Sequence, residues 1–296
     1  MTTKISNVES PYQQLIRLIK TIKRAAVAFS GGVDSSLLAY VAHEALCGEP
    51  DGKPGNMVAI TIKTPYIPDW EIEEAQLFAL KFNIAHEIIE LQIPAQITQN
   101  PPDRCYLCKK EIFTAIRNYA QKIGIDTIIE GSNKDDLNDY RPGLQALKEL
   151  HIASPLLQLG ITKNTIRELS REIGLPTWDK PAYACLLSRI PYHTEITAGE
   201  LERIGKAEMV LRELNISGSR VRSHGDIARI EVPVTSFADL LKNDVRTHLI
   251  EKIKNCGYLY VTLDLEGYRT GSLNKTLGIK KLGKNHGQRH SGLDPE

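Results

Sequence analysis

The chain has 296 residues, 42% of them hydrophobic and 25% charged, which is enough to bury a substantial core in one large domain or two ordinary ones. Its formal net charge of +1 gives no general attraction to nucleic acid, and no apolar run approaches the roughly 18–20 residues that a membrane-spanning helix needs. Residues 1–24 also lack the apolar stretch of a secretory leader, so the expectation is a cytoplasmic protein with neither a nucleic-acid nor a membrane partner.

Leu15, Ile16, Leu18, Ile19 and Ile22 fall on one face of a helix. Residues 25–29 form a short, nearly continuous apolar run, as in a strand covered on both faces of a parallel sheet. Leu37, Leu38, Val41, Ala42 and Ala45 mark a second helix, a Pro/Gly-rich turn spans 50–55, and residues 57–62 read as the second strand. Asp69 opens a helix running to about residue 82; a strand at 85–91, a helix at 105–123 and a fourth strand at 127–130 follow. This alternation predicts an α/β fold with a doubly wound parallel sheet.

A further helix over 162–173 is closed by Gly174 and Pro176, and 178–192, with Pro181 and Pro191, reads as an irregular hinge or active-site loop. Beyond it the texture becomes α+β. Leu201, Ile204, Ala207, Leu211 and Leu214 share a helix face, 220–223 and 227–232 alternate like strands, and more helix precedes a last strand at 258–263. The expected organisation is a nucleotide domain over 1–190, a smaller α+β domain over 191–278, and a disordered polar tail over 279–296.

Ser30-Gly31-Gly32-Val33-Asp34-Ser35 sits between the first strand and the helix after it. Two glycines let the backbone turn tightly and approach a polyphosphate, Ser30 and Ser35 add hydroxyls, and the helix N-terminus adds its positive dipole end. Asp34 is placed to meet the Mg²⁺ that accompanies the phosphates. The lysine of a Walker A loop is missing, and the pattern instead resembles that of the PP-loop ATP pyrophosphatases, which implies attack at the α-phosphate of ATP and release of pyrophosphate. Glu130-Gly131-Ser132-Asn133 follows the fourth strand and should meet the same sheet edge, with Gly131 beside the nucleotide.

Cys105 and Cys108 form a CxxC at a helix start, where the dipole favours thiolates, and Cys185 lies in the irregular loop. A redox pair, catalytic or sacrificial thiol chemistry led by Cys185, and no shared role are all open on the residues alone. Zinc would want a fourth ligand, for which His193 is the nearest candidate. Three cysteines can instead hold a [4Fe–4S] cluster and leave one iron without a protein ligand. Cys47 and Cys256 read as packing residues, and Glu208 reads equally as a functional carboxylate or a solvated helix face.

The stretch Trp178-Asp179-Lys180-Pro181-Ala182-Tyr183-Ala184-Cys185-Leu186-Leu187-Ser188-Arg189-Ile190-Pro191-Tyr192 resembles the signature of the LarE family of ATP-dependent sulfur transferases. So do Glu130-Gly131-Ser132-Asn133-Lys134-Asp135-Asp136, Tyr140-Arg141-Pro142-Gly143, Arg220-Val221-Arg222 and His224-Gly225-Asp226. The resemblance implies adenylation of the carboxylates of pyridinium-3,5-biscarboxylic acid mononucleotide and their conversion to thiocarboxylates, in making the nickel-pincer cofactor of lactate racemase. It also implies ATP and Mg²⁺ as cofactors, a homo-oligomer, and a sulfur donor that the residues do not identify. With Cys105 and Cys108 present beside Cys185, the chain looks like the three-cysteine branch, whose cluster carries the sulfide. By match, Arg220 and Arg222 would clamp the substrate phosphate from one strand face, with Ser188 and Arg189 as further substrate contacts. The alternatives are sacrificial sulfur transfer from Cys185, a PP-loop tRNA thiolase, and an ammonia-using synthetase that would give the cysteines no work.

Overall fold

A parallel sheet organises the first part of the chain in the computed structural model, which describes residues 9–48, 55–138, 142–181 and 183–269. The tail expected over 279–296, most of the turn expected at 50–55, and Tyr140, Arg141 and Ala182 of the motifs lie outside the described residues. Strands β1 (Ala25–Ala28), β2 (Met57–Lys63), β3 (His86–Glu90) and β4 (Ile128–Ile129) stand in the order β3-β2-β1-β4, every pair parallel.

The side-chain alternation of β1 divides the core in two. Ala25 and Val27 join Leu15 and Ile19 of α1 (Pro11–Lys20), Leu37 and Val41 of α2 (Val33–Cys47), and Ala75 and Phe78 of α3 (Asp69–Lys81). Ala26 joins Phe113 and Ile116 of α4 (Arg104–Lys122) on the opposite face, together with Leu147 of α5 (Gly143–Glu149). After α6 (Pro155–Gln158), α7 (Lys163–Glu172) returns Ile166 and Leu169 to the first core. Helices thus cover both faces, as the doubly wound expectation requires.

The strand order reverses between β1 and β4, so the crevice beyond their carboxyl ends is where such sheets bind ligands. β4 is shorter than the run 127–130 suggests because Glu130 leaves the ladder. Its N–H donates to Ala153 O at 2.9 Å, and its carboxylate accepts from Ser132 and Ser154.

The last part of the chain builds a second sheet against α8 (Ala198–Glu213). Strands β5 (Arg220–His224), β6 (Ile227–Glu231) and β7 (Tyr260–Leu263) lie in that order, β5 and β6 as an antiparallel hairpin and β6 and β7 parallel. The chain reaches β7 through α9 (Phe237–Leu240) and α10 (Asn243–Asn255), so the α+β texture contains one parallel crossover that periodicity did not disclose. Between the sheets, Leu186, Leu187 and Ile190 of the irregular stretch pack with Tyr66, Ile97, Leu201 and Ile204 into a small core of their own. Among the described residues no helix is long and apolar enough to cross a membrane.

Candidate functional site

The loop after β1 is shaped by what surrounds it. Gly31 has φ +68°, and a Cβ there would stand 3.1 Å from the Cβ of Ala75. Ser30 N–H donates to Ser35 Oγ at 3.2 Å, and the two hydroxyls are 3.1 Å apart. From β4, Gly131 closes on the first turn of α2: a Cβ on it would lie 3.1 Å from Ser35 N and 3.2 Å from the carbonyl carbon of Asp34. The close approach that glycine permits therefore joins the two loops into one floor. Above it lies a cavity of about 300 Å³, and Ser30, Gly32, Asp34, Ser35 and Gly131 all line it. Gly31 faces the neighbouring cavity instead.

Asp34 is not alone. Its Oδ1 accepts from Asn133 Nδ2 at 3.3 Å, and its Oδ2 pairs with Lys163 Nζ, the first residue of α7. The Lys163 N–H also donates to Asp135 Oδ2 at 2.7 Å, which fixes the helix start against the β4 loop. Glu71 of α3 lines the same cavity, and burial pushes its carboxyl up to about 7 against the pull of Lys180 and Arg189. Neither Lys163 nor Glu71 carried a signal in the sequence beyond that of a charged helix end or face.

Cys105 is exposed at the start of α4, while Cys108 and Cys185 are half-buried against the small core around Tyr66. The Tyr66 hydroxyl lies 3.1 Å from Cys108 Sγ. Burial pushes the Cys108 thiol up to about 12, with the Cys185 and Cys105 thiols acting in the same direction, so the helix-start dipole expected to favour its thiolate is outweighed. Burial also raises Cys185, and Cys105 adds to the rise.

The three thiols therefore share one electrostatic neighbourhood, yet among the described residues no three His, Cys, Asp or Glu side chains stand close enough to hold a single metal ion. A four-iron cube spreads its terminal thiolates wider than one ion does, so a single-ion criterion does not test for a cluster. Arg104 bears on the fit to one. It is buried, its guanidinium lies 4.4 Å from the Tyr192 ring, and its Nε and Nη1 have no hydrogen-bond partner among the described residues. Unspent donors beside thiolates can bond cluster sulfurs and offset negative charge.

The expected substrate contacts are drawn together but already engaged. Arg189, 1% exposed, forms a two-pronged pair with Glu208 at 2.7 and 2.8 Å and donates to the carbonyls of Ala184 and Cys185. Ser188 Oγ donates to Cys185 O at 3.0 Å and accepts from Arg189 at 2.7 Å. Arg222 donates to Ser188 O at 2.5 Å and to Glu231 at 2.7 Å. Arg220, also buried, bonds Ser219 O at 2.6 Å and faces the rings of Tyr183 and Tyr268 at 5.5 and 5.1 Å. Burial first, and Arg189 second, lower its pKa. Glu208, open between two readings on sequence, is here the partner that holds Arg189, and it also accepts from Val221 N–H at 2.9 Å.

Lys180 ties the two regions, donating to Gly31 O at 2.9 Å and pairing with Glu74 at 2.7 Å.

The NAD synthase family model matches residues 12–123, a span that contains the loop at 30–35. Uncharacterized protein slr1717 of Synechocystis sp. is 44% identical over 272 residues, 91% of this chain and 99% of its own. Uncharacterized protein MJ0830 of Methanocaldococcus jannaschii is 34% identical over 249 residues, 84% of this chain and 92% of its own. The pyridinium-3,5-bisthiocarboxylic acid mononucleotide synthase of Lactiplantibacillus plantarum is 35% identical over 270 residues, 90% of this chain and 95% of its own. An identity of that level sustained across both sheets, with the PP-loop in place, shows that the chain belongs to the LarE-type family of pyridinium-3,5-bisthiocarboxylic acid mononucleotide synthases, ATP-dependent sulfurtransferases.

Proposed function

We propose that this enzyme adenylates each carboxylate of pyridinium-3,5-biscarboxylic acid mononucleotide, releasing pyrophosphate, and converts it to a thiocarboxylate with sulfide carried by a [4Fe–4S] cluster on Cys105, Cys108 and Cys185. The observation that carries the reading is the Lys180 bond to Gly31 O, because it joins the phosphate-cradling loop to the segment bearing Cys185.

In this scheme Ser30, Gly32, Ser35 and the α2 N-terminus hold the triphosphate, and Asp34 meets the Mg²⁺. The substrate carboxylate attacks the α-phosphorus, forming a C–O–P linkage as pyrophosphate departs. Sulfide then forms a C–S bond and AMP leaves with the oxygen, a displacement that an unactivated carboxylate does not allow. The cluster, when bound, would supply an iron without a protein ligand on which sulfide can be carried. Arg220 and Arg222 bind the substrate phosphate, for which Arg222 must exchange part of its bonding to Ser188 O and Glu231. Residues 1–190 then act as the ATP domain and 191–278 as the substrate-binding and oligomerisation domain.

Intact mass after anaerobic turnover of the reconstituted protein tests the sulfur source. Thiocarboxylate product with an unchanged polypeptide mass is the expected result. A species lighter by one H₂S, formed in proportion to product, would show that Cys185 is consumed and would replace the cluster reading with the sacrificial one.

A further inference from the structure

A second cavity, of about 620 Å³, opens on the other side of the phosphate loop, with Gly31 in its wall. Trp70 of α3 and Tyr183, two residues before Cys185, form an aromatic corner, their rings 4.9 Å apart and edge-on at 77°. The Arg212 guanidinium lies 3.8 Å from the Trp70 ring centroid, and the Lys180 ammonium lies 5.9 Å from it. Both cations pair with Glu74, whose carboxyl they hold below its ordinary value despite burial. Arg220 approaches Tyr183 from β5 at 5.5 Å. Electron-rich ring faces in a cavity this size select flat cations, and a guanidinium already rests on one of them.

Resting on the proposed function, we infer that this cavity seats the substrate's pyridinium ring, with Trp70 and Tyr183 as the walls that recognise its positive charge. An N-ribosylated pyridinium is planar and singly charged, the same chemistry as the guanidinium now over Trp70, so ring and Arg212 exchange places on that face. The displaced Arg212 and Lys180 then stand at the cavity wall as partners for the ring carboxylates. Gly31 puts the adenylating loop on one side of the ring, and Tyr183 puts Cys185 near the other. Arg220 beside Tyr183 keeps the phosphate site within a ribose's reach of the ring. The site therefore takes cationic pyridinium carboxylates and discriminates against neutral rings of the same shape.

Trp70 and Trp178 are the chain's only tryptophans, so Trp178→Phe leaves Trp70 as the sole indole reporter. Pyridinium-3,5-biscarboxylic acid mononucleotide titrated into that variant should quench more than half of the emission saturably. Calorimetry on the unmutated protein should find the ring-reduced, neutral form of the same mononucleotide weaker by about 3- to 30-fold, the range from an exposed to a desolvated cation–π contact. Trp70→Leu should abolish that preference. Calorimetric binding without quenching, or equal affinity for charged and neutral rings, overturns the ring site and leaves the substrate assignment standing. Calorimetric silence with the charged mononucleotide overturns the substrate assignment itself and this inference with it. The charged-against-neutral comparison needs no substitution, so it decides the matter even if Trp70→Leu fails to fold.

Discussion

The nucleotide loop and the arginine-rich region around Cys185 hold their polar groups in opposite ways. The loop presents backbone and short side chains to an open cavity, and its ion pair of Asp34 with Lys163 is partly exposed. Around Cys185, Arg189 and Arg222 are buried and matched to Glu208 and Glu231, the latter fully buried. A ligand meets a ready surface in the first region and must compete with internal partners in the second. On the proposed function, preorganisation lies with ATP, and rearrangement falls to the second substrate.

Breaking a buried pair should have the largest effect. Glu208→Ala removes both prongs from Arg189 and the acceptor of Val221 N–H, leaving a guanidinium that is 1% exposed with backbone carbonyls and a serine hydroxyl alone. Loss of one partner of a buried pair costs about 3–5 kcal/mol, so the urea midpoint should fall steeply. A midpoint within a few tenths of wild type would mean that the pair opens freely and that the contrast between the regions is false.

The partly exposed pair should behave differently. Lys163→Ala removes a half-exposed partner, so stability should change by less than about 1 kcal/mol. The PP-loop has no lysine of its own, and Lys163 reaches it from α7. Loss of a hydrogen bond to a charged group is worth about 1.5–3 kcal/mol, so ATP binding measured by calorimetry should weaken roughly tenfold or more. Unchanged affinity would leave the ammonium as no more than Asp34's companion.

The contrast also explains what was legible in the sequence. Gly32, Asp34 and Ser35 fall within one hexapeptide, and Gly131 follows a strand that must end at the same sheet edge, so pattern and topology bring them to one cavity without knowledge of packing, whereas Gly31 turns to the neighbouring cavity. Arg189 with Glu208, and Arg222 with Glu231, meet across elements whose relative placement no periodicity encodes. A solvated helix face and a core anchor look alike at Glu208 until the partner is known. α5 and α6 escaped notice because each is too short to complete an amphipathic repeat. Arg104, next to Cys105, is visible as a residue, but its unspent donors are a property of burial.

Glu71 lies where the two regions meet, and it gives the finest test of their coupling. It lines the nucleotide cavity, while the charges that oppose its raised pKa are Lys180, Arg189 and Arg220 from the other side. Its carboxyl has a pKa of about 7 when folded and 4.5 ordinarily, so between those values the native state binds more protons than the unfolded chain. By linkage, its contribution to stability is fully present below 4.5 and is lost as pH rises through 7. Solvent screening of the partly exposed group limits the loss to roughly 1–2 kcal/mol. Glu71→Gln keeps the shape without the charge, so the variant should match wild type at pH 4 and exceed it by that amount at pH 7.5 in urea unfolding. The Glu74 carboxyl is held below its ordinary value, so its linkage acts at lower pH and leaves this difference untouched. If wild type and variant keep the same separation at both pH values, Glu71 does not titrate there. If the crossover is seen, Lys180→Met should widen it by removing the cation whose pull is largest, which would show that the thiol-side loop sets the charge of the nucleotide cavity.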